Sequence, residues 1–230
     1  MKVEIWSDIV CPFCYIGKRK FENALNSFDQ KDKVEIVWRS FQLDADLKQI
    51  KGQSVDEYLG IRKGTTTEKG KEMNAYMAGV AKEVGLDYNF DIAIINNTMN
   101  AHRLSHLAAK HGIQNTMEEA LFDAYYTKGK DIGDVETLTE IGVSAGLNKV
   151  DIDTLFASDE YTEAVRMDQV EAGQIGVQGV PFFVFNNKYA VSGAQSTDVF
   201  KEILAKAWED EKPVITEMPE GFCSIDGVCN

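Results

Sequence analysis

The sequence has no apolar run approaching the roughly 20 residues that a membrane-spanning helix needs. Its opening, Met1-Lys2-Val3-Glu4-Ile5-Trp6, alternates like a strand and contains no apolar signal-peptide segment. With Met at position 1 and no leader, the expected location is cytoplasmic. Positive charge is also short: 24 Lys and Arg stand against 37 Asp and Glu, a formal net charge of −13. That balance argues against nucleic acid and against anionic membrane surfaces, which both attract basic patches. It leaves soluble protein or small-molecule partners open. Neither an internal repeat nor a low-complexity linker interrupts the chain. Cysteine is scarce, and its four copies fall into two pairs, Cys11 with Cys14 and Cys223 with Cys229. In a reducing compartment a structural staple is disfavoured, so a closely spaced pair points to catalysis or to metal binding.

Among what is present, the stretch Trp6-Ser7-Asp8-Ile9-Val10-Cys11-Pro12-Phe13-Cys14-Tyr15 carries the most chemistry. A C-x-x-C where a strand hands over to a helix reads as a dithiol/disulfide redox site. Pro12 suits the first helical turn, where a missing N–H costs nothing. Cys11 then sits at the helix N-terminus, where free N–H groups and the helix dipole favour a thiolate, which makes it the candidate nucleophile. Cys14, three residues on and on the same face, is the candidate resolving thiol. The bland alternatives are a buried pair of small residues or half of a four-cysteine zinc site. Far along the chain, Gly176-Val177-Gln178-Gly179-Val180-Pro181-Phe182-Phe183-Val184-Phe185 is a glycine-punctuated turn leading through Val-Pro into an apolar strand.

Strands are expected over 2–6 and 34–41, with a helix from Pro12 to about Phe28 between them, in which Gly17 permits close packing on the sheet. Strand, helix, strand makes the two strands parallel. The middle of the chain is helical in pattern. Ser54-Val55-Asp56-Glu57 and Thr116-Met117-Glu118-Glu119 have the form of capping boxes. Helices are also expected over 67–84, 98–111, 134–145 and 159–172. Phe182 to Phe185 and Tyr189 to Ser192 flank a short turn and form an antiparallel hairpin, and Ser196 caps a last helix. The expected organisation is a discontinuous sheet domain over 1–53 and 176–212, a helical domain inserted over 54–175, and an acidic tail over 213–230.

The CPFC and GVPFF segments together resemble the DsbA group of the thioredoxin superfamily. Asp8 to Gly17, Asn97-Thr98, Ala101 to Leu104 and Val191 to Gln195 are similar to its FrnE-like branch, over roughly residues 1 to 210. The resemblance implies an α/β thioredoxin-like fold with a large helical insertion. The function it implies is disulfide exchange through a mixed disulfide on Cys11, with no cofactor and no metal. It implies that Val180–Pro181 is cis, that Pro181 belongs to the site, and that Val180 presents backbone groups to substrate. Pro12 and Phe13 flank the reacting sulfur, tune it and are expected to bind substrate with Val180. The helix carrying His102 and Arg103 is expected to line the groove, with His102 touching substrate. Expected partners are thiol- or disulfide-containing proteins, with glutathione as a small-molecule candidate.

Several readings stay open. Asp8 is either a proton acceptor for Cys14 or a solvated turn residue. His102 and His106, at i and i+4, are a weak metal signal without the Glu of H-E-x-x-H. Cys223 and Cys229 are a second redox pair, a staple or two free thiols. The rival enzyme of the same fold is a glutathione-dependent transferase or 2-hydroxychromene-2-carboxylate isomerase, where a Ser resembles the position of Cys11.

Overall fold

The computed structural model describes residues 1–48 and 52–211. Strand β1 (Lys2–Ser7) alternates its side chains between two buried faces. Val3 and Ile5 enter a core with Phe21, Phe183, Phe185 and Phe200, all fully or nearly fully buried. Trp6 goes to the opposite face, where it packs with Ala172 and Val177. Helix α1 (Pro12–Asn26) and strand β2 (Glu35–Ser40) complete the parallel unit, with Val3 opposite Ile36 and Ile5 opposite Trp38. Strand β3 (Phe182–Phe185) runs antiparallel on the other side of β1, placing Phe183 against Ile5. Strand β4 (Tyr189–Ser192) then closes the edge, so the order is β2-β1-β3-β4. The hairpin turn uses Asn186 and Asn187 at φ of 52° and 53°, a left-handed conformation that asparagine tolerates.

Between β2 and β3 the chain is helical. The segments are α2 (Val55–Arg62), α3 (Thr67–Lys82), α4 (Met99–Lys110), α5 (Gln114–Tyr126), α6 (Val135–Ala145), α7 (Lys149–Phe156) and α8 (Thr162–Gln174). Helix α9 (Thr197–Glu209) follows the hairpin. Caps read from the sequence are in place at α2 and α9: Ser54 Oγ accepts from the Glu57 N–H at 3.1 Å, and Ser196 Oγ from the Val199 N–H at 3.3 Å. Gly146 ends α6 at φ 110°.

Three helical boundaries differ from expectation. The box at Thr116 is not a helix start, because α5 begins at Gln114. The Gln114 amide accepts from the Trp38 N–H and donates to the Trp38 carbonyl, both at 3.0 Å, and so extends the edge of β2. Glu119 is thereby carried into the helix and turned toward α1. Helix α8 starts at Thr162 and not at Asp159, after Tyr161 turns the chain at φ 62° with its ring stacked on His106. Helix α7 has no counterpart in the expected set. It is capped by Asn148, whose Oδ1 accepts from the Val150 N–H at 2.9 Å. At its other end Arg103 donates to the carbonyls of Leu155 and Ser158.

Helices α1 and α5 are joined by charge. Lys18, 2% exposed, reaches Glu22 at 2.6 Å and also pairs with Glu119, which accepts from the Tyr15 hydroxyl and from Arg19 at 2.6 Å. Burial raises the Glu119 pKa, but the hydrogen bonds and charges of Lys18, Tyr15 and Arg19 outweigh it and hold the carboxyl below its usual value. A depressed carboxylate stabilises the fold above its unfolded pKa, and that stability is lost as pH falls through the folded pKa. Glu119→Ala is therefore expected to destabilise the protein at neutral pH. The loss should fall short of the roughly 3–5 kcal/mol of a fully broken buried pair, because Glu22 stays on Lys18. Denaturant titrations at pH 7 and pH 3 check this, since the difference between variant and parent should shrink at the acid end.

Candidate active site

The β1–α1 connection places the dithiol. Asp8 O accepts from the Cys11 N–H at 3.0 Å, and Cys11 O accepts from the Cys14 N–H at 3.0 Å, which folds the motif into the first turn of α1. Cys11 is the residue capping α1, with extended backbone at φ −87° and ψ 113°, and Pro12 follows it in the first turn. Both cysteines are free thiols. Cys11, 4% exposed, opens into a cavity of about 880 Å³, whereas Cys14, 1% exposed, lies behind it. Burial pushes the Cys14 thiol well up and neighbouring Cys11 adds to the rise, while the Ser7 hydroxyl and the Asp8 backbone offset part of it.

The Val180–Pro181 peptide is cis, and it brings the Val180 carbonyl 3.4 Å from Cys11 Sγ, which donates to it. Pro181 also packs on α1 at Gly17. A Cβ at Gly17 would fall 2.9 Å from Pro181 Cγ, so the close approach expected of this glycine is the one that seats the Val-Pro turn over the dithiol. Phe13, 46% exposed, and Pro12 line the cavity mouth with Val180. Tyr88 fastens the same turn by donating its hydroxyl to the Pro12 carbonyl at 2.7 Å. Its ring stacks on Tyr126 at 4.1 Å, and Tyr15 stacks on Phe122 at 4.9 Å. These aromatic supports were not singled out from the sequence, where an aromatic at helical spacing looks like any core residue.

The far wall of the cavity comes from α2 and α3 through Val55, Tyr58, Leu59, Met73, Tyr76 and Met77. Phe13, Leu43, Met73 and Tyr76 are all large, exposed apolar side chains on this rim. The cations here are largely engaged: Arg62 pairs with Asp44, and Lys69 pairs with Glu72 at 2.6 Å. The walls thus favour an apolar occupant beside the sulfur.

His102 is not on this groove. It is 2% exposed, and its Nε2 faces Asp8 Oδ1 at 3.4 Å, because α4 turns that side toward the core. Arg103 caps α7 and likewise does not face the cavity. Asp8 is fully buried and is not a solvated turn residue; its Oδ2 accepts from the Leu43 N–H at 2.8 Å. His106 is engaged by Asp168 and Ser40, each at 3.1 Å. Cys223, Cys229 and the rest of the 213–230 tail lie outside the described residues.

Against known proteins, the family model of the DSBA-like thioredoxin domain matches residues 2–205. The chain belongs to this family. A probable DsbA oxidoreductase from Streptomyces coelicolor superposes with a TM-score of 0.85 at 37% identity, covering 99% of this chain and 97% of that one. A Bacillus subtilis protein named YwbO is 23% identical over 205 residues, 88% of this chain and 95% of its own length. The cytosolic disulfide reductase DsbM of Pseudomonas aeruginosa shares the fold at a TM-score of 0.62 and 14% identity, over 91% of this chain.

 The likeness to DsbM covers 99% of that chain and concerns the fold alone. The family match and the Streptomyces coelicolor likeness make the chain a DsbA-like oxidoreductase-family member, and Cys11 and Cys14 lie close together at the start of α1. Among the described residues of this family member, no helix is long and apolar enough to cross a membrane.

Proposed function

We propose that the protein is a thiol–disulfide oxidoreductase that exchanges disulfides with protein or small-molecule substrates through Cys11 and Cys14, in the cytoplasm. The observation that carries this reading is the placement of the two sulfurs: Cys11 at a cavity mouth, 3.4 Å from the Val180 carbonyl, with Cys14 immediately behind it. The Cys11 thiolate attacks a substrate disulfide, forming the Cys11–substrate bond and expelling one substrate thiolate. Cys14 then loses its proton and attacks Cys11 Sγ, which forms the Cys11–Cys14 disulfide and expels the second thiolate. The reverse sequence reduces the protein and oxidises a substrate dithiol. An extended substrate segment lies along Val180 and Pro181, with Phe13 beside the reacting sulfur.

The structure of DsbM is also known with glutathione, which makes glutathione disulfide the natural polar comparison. The apolar walls of the cavity favour bulkier, less polar disulfides. The test is stopped-flow mixing of the reduced protein with an aromatic disulfide and, separately, with glutathione disulfide. Two thiols should be released per protein, faster from the aromatic reagent. Conjugation of glutathione to an electrophile without any disulfide formed would instead support the transferase or isomerase alternative, whose fold is shared by a 2-hydroxychromene-2-carboxylate isomerase at 13% identity and a TM-score of 0.65.

A further inference from the structure

We propose that the Ser7 hydroxyl is a catalytic donor for the resolving half of this exchange, idle in the resting dithiol and hydrogen-bonded to the Cys14 sulfur as charge builds there. The inference rests on the dithiol reading above and adds the group that lets a buried thiol attack. Ser7 is the last residue of β1 and is 2% exposed. Side chains two apart share one face of a strand, so Ser7 points to the same side of the sheet as Val3 and Ile5. That side is covered by α1, whose Phe21 packs in the core with Val3, Ile5 and Phe183. Cys14, Gly17 and Phe21 follow one another along the buried side of α1. Ser7 and Cys14 therefore meet at the dithiol end of this interface, and the Ser7 hydroxyl reaches the Cys14 sulfur.

While both cysteines are thiols, the Ser7 hydroxyl oxygen has no hydrogen-bond partner among the described residues. The polar groups around it are committed elsewhere. The Ser7 carbonyl accepts from the Phe41 N–H at 3.0 Å, and Asp8 Oδ2 accepts from the Leu43 N–H at 2.8 Å. Tyr88, which also lies beside the sulfurs, gives its hydroxyl to the Pro12 carbonyl at 2.7 Å. A buried hydroxyl without a partner destabilises a fold, and alanine would fill the same space without that penalty. Its presence beside a reacting sulfur calls for a use.

Burial pushes the Cys14 thiol well up and Cys11 adds to the rise, whereas the Ser7 hydroxyl and the Asp8 backbone favour the charged form. In the resolving step the Cys14 S–H bond breaks and the sulfur electron pair forms the Cys11–Cys14 bond. The bond between Cys11 and the substrate sulfur opens, and its electron pair leaves with the substrate. The proton from Cys14 passes through solvent in the cavity to that leaving thiolate, so a protein disulfide and a substrate thiol are formed and charge balances. Ser7 keeps its own proton. Its O–H rotates toward Cys14 while the sulfur is negative and is released when the disulfide has formed. A donor engaged only while charge is present stabilises the transition state more than the ground state.

The full-length reduced protein is mixed with an aromatic disulfide in stopped flow. The first thiol released reports attack by Cys11, and the second reports resolution by Cys14. In Ser7→Ala the second phase should slow about tenfold relative to the first, less than for a lost oxyanion donor because sulfur is a weaker acceptor. Ser7→Thr, which restores a hydroxyl, should recover most of the second phase. Stability separates this role from a packing role. With the unpartnered hydroxyl gone, Ser7→Ala should unfold at the parent's denaturant midpoint or above it. A second phase in Ser7→Ala that overlays the parent would overturn the proposal, and so would equal slowing of both phases with a lower midpoint.

Should neither Ser7 variant fold, a protein that keeps Ser7 decides. In Cys11→Ala with ¹³C-labelled serine, the Ser7 Cβ signal should shift as Cys14 ionises in an alkaline titration. A Ser7 signal that stays fixed while Cys14 titrates overturns the proposal. Absence of both thiol phases in the parent protein would instead remove the dithiol reading itself.

Discussion

Cys11→Ser is expected to lower disulfide exchange by more than roughly 10³-fold, since no other thiol among the described residues lines the cavity. The serine hydroxyl is a far weaker nucleophile than a thiolate and cannot form the mixed disulfide. Cys14→Ser should behave differently. It should release one thiolate per protein and then stop with the substrate still joined to Cys11, because the second attack has no sulfur. Mass spectrometry of the Cys14→Ser protein after mixing with an aromatic disulfide should find that adduct in nearly every molecule. The asymmetry follows from position: Cys11 lines the cavity, while Cys14 is 1% exposed and burial holds its thiol well up. An alkylating reagent at mildly acid pH should therefore modify Cys11 first. Faster modification of Cys14, or sustained turnover by Cys14→Ser, would reverse the assignment of attacking and resolving thiols.

Much of this site was legible because its chemistry is local. Cys11, Pro12 and Cys14 lie within one helical turn, and the strand before them and helix after them follow from side-chain spacing alone. The second half, Val180 and Pro181, was legible as a motif only, since 169 residues separate Cys11 from Val180 and the sheet has to bring them together. His102 shows where such reasoning stops. Periodicity shows that it belongs to a helix but not which side of that helix meets the sheet. An imidazole expected on the groove therefore stands behind the dithiol, on a buried carboxylate. The start of α5 was misplaced for a related reason. Thr116 and Glu119 have the form of a capping box, but Gln114 pairs with the backbone of Trp38, and that tertiary hydrogen bonding decides the boundary. Helix α7 ends where Arg103 takes up the Leu155 carbonyl and, just past the helix, that of Ser158.

 
The carbonyls it reaches, on Leu155 and Ser158, lie 52 and 55 residues beyond it, too far for any local pattern to announce the helix end.

The cavity wall offers the other large effect, at Gly70. Helices α2 and α3 meet backbone to backbone there. A Cβ added at Gly70 would fall 2.0 Å from the Asp56 carbonyl oxygen and 3.0 Å from the Gly60 nitrogen. Gly60 is equally confined, with the Thr66 carbonyl oxygen 2.6 Å from its own would-be Cβ. These obstacles are main-chain atoms, which cannot swing aside as a long side chain can, so the two helices have to separate. Gly70→Val is expected to cost about 3 kcal/mol, the upper part of the usual range for overpacking. The damage should be local, because Gly60 is the one buried residue of α2 and the helix has little else in the core to hold it. The bond from Asn74 to Asp56 at 2.7 Å would be lost with the contact. Amide hydrogens over Val55–Arg62 should then exchange about 100-fold faster, while protection of β1 and β3 stays near the parent level. Cys11 should keep its reactivity toward a small alkylating reagent. The preference for aromatic over glutathione disulfide should fall, because Val55, Tyr58 and Leu59 no longer close the far wall. Unchanged exchange in α2 would show that the helices can part at no cost, and a full loss of the preference with α2 intact would move the selectivity to Phe13 and Val180.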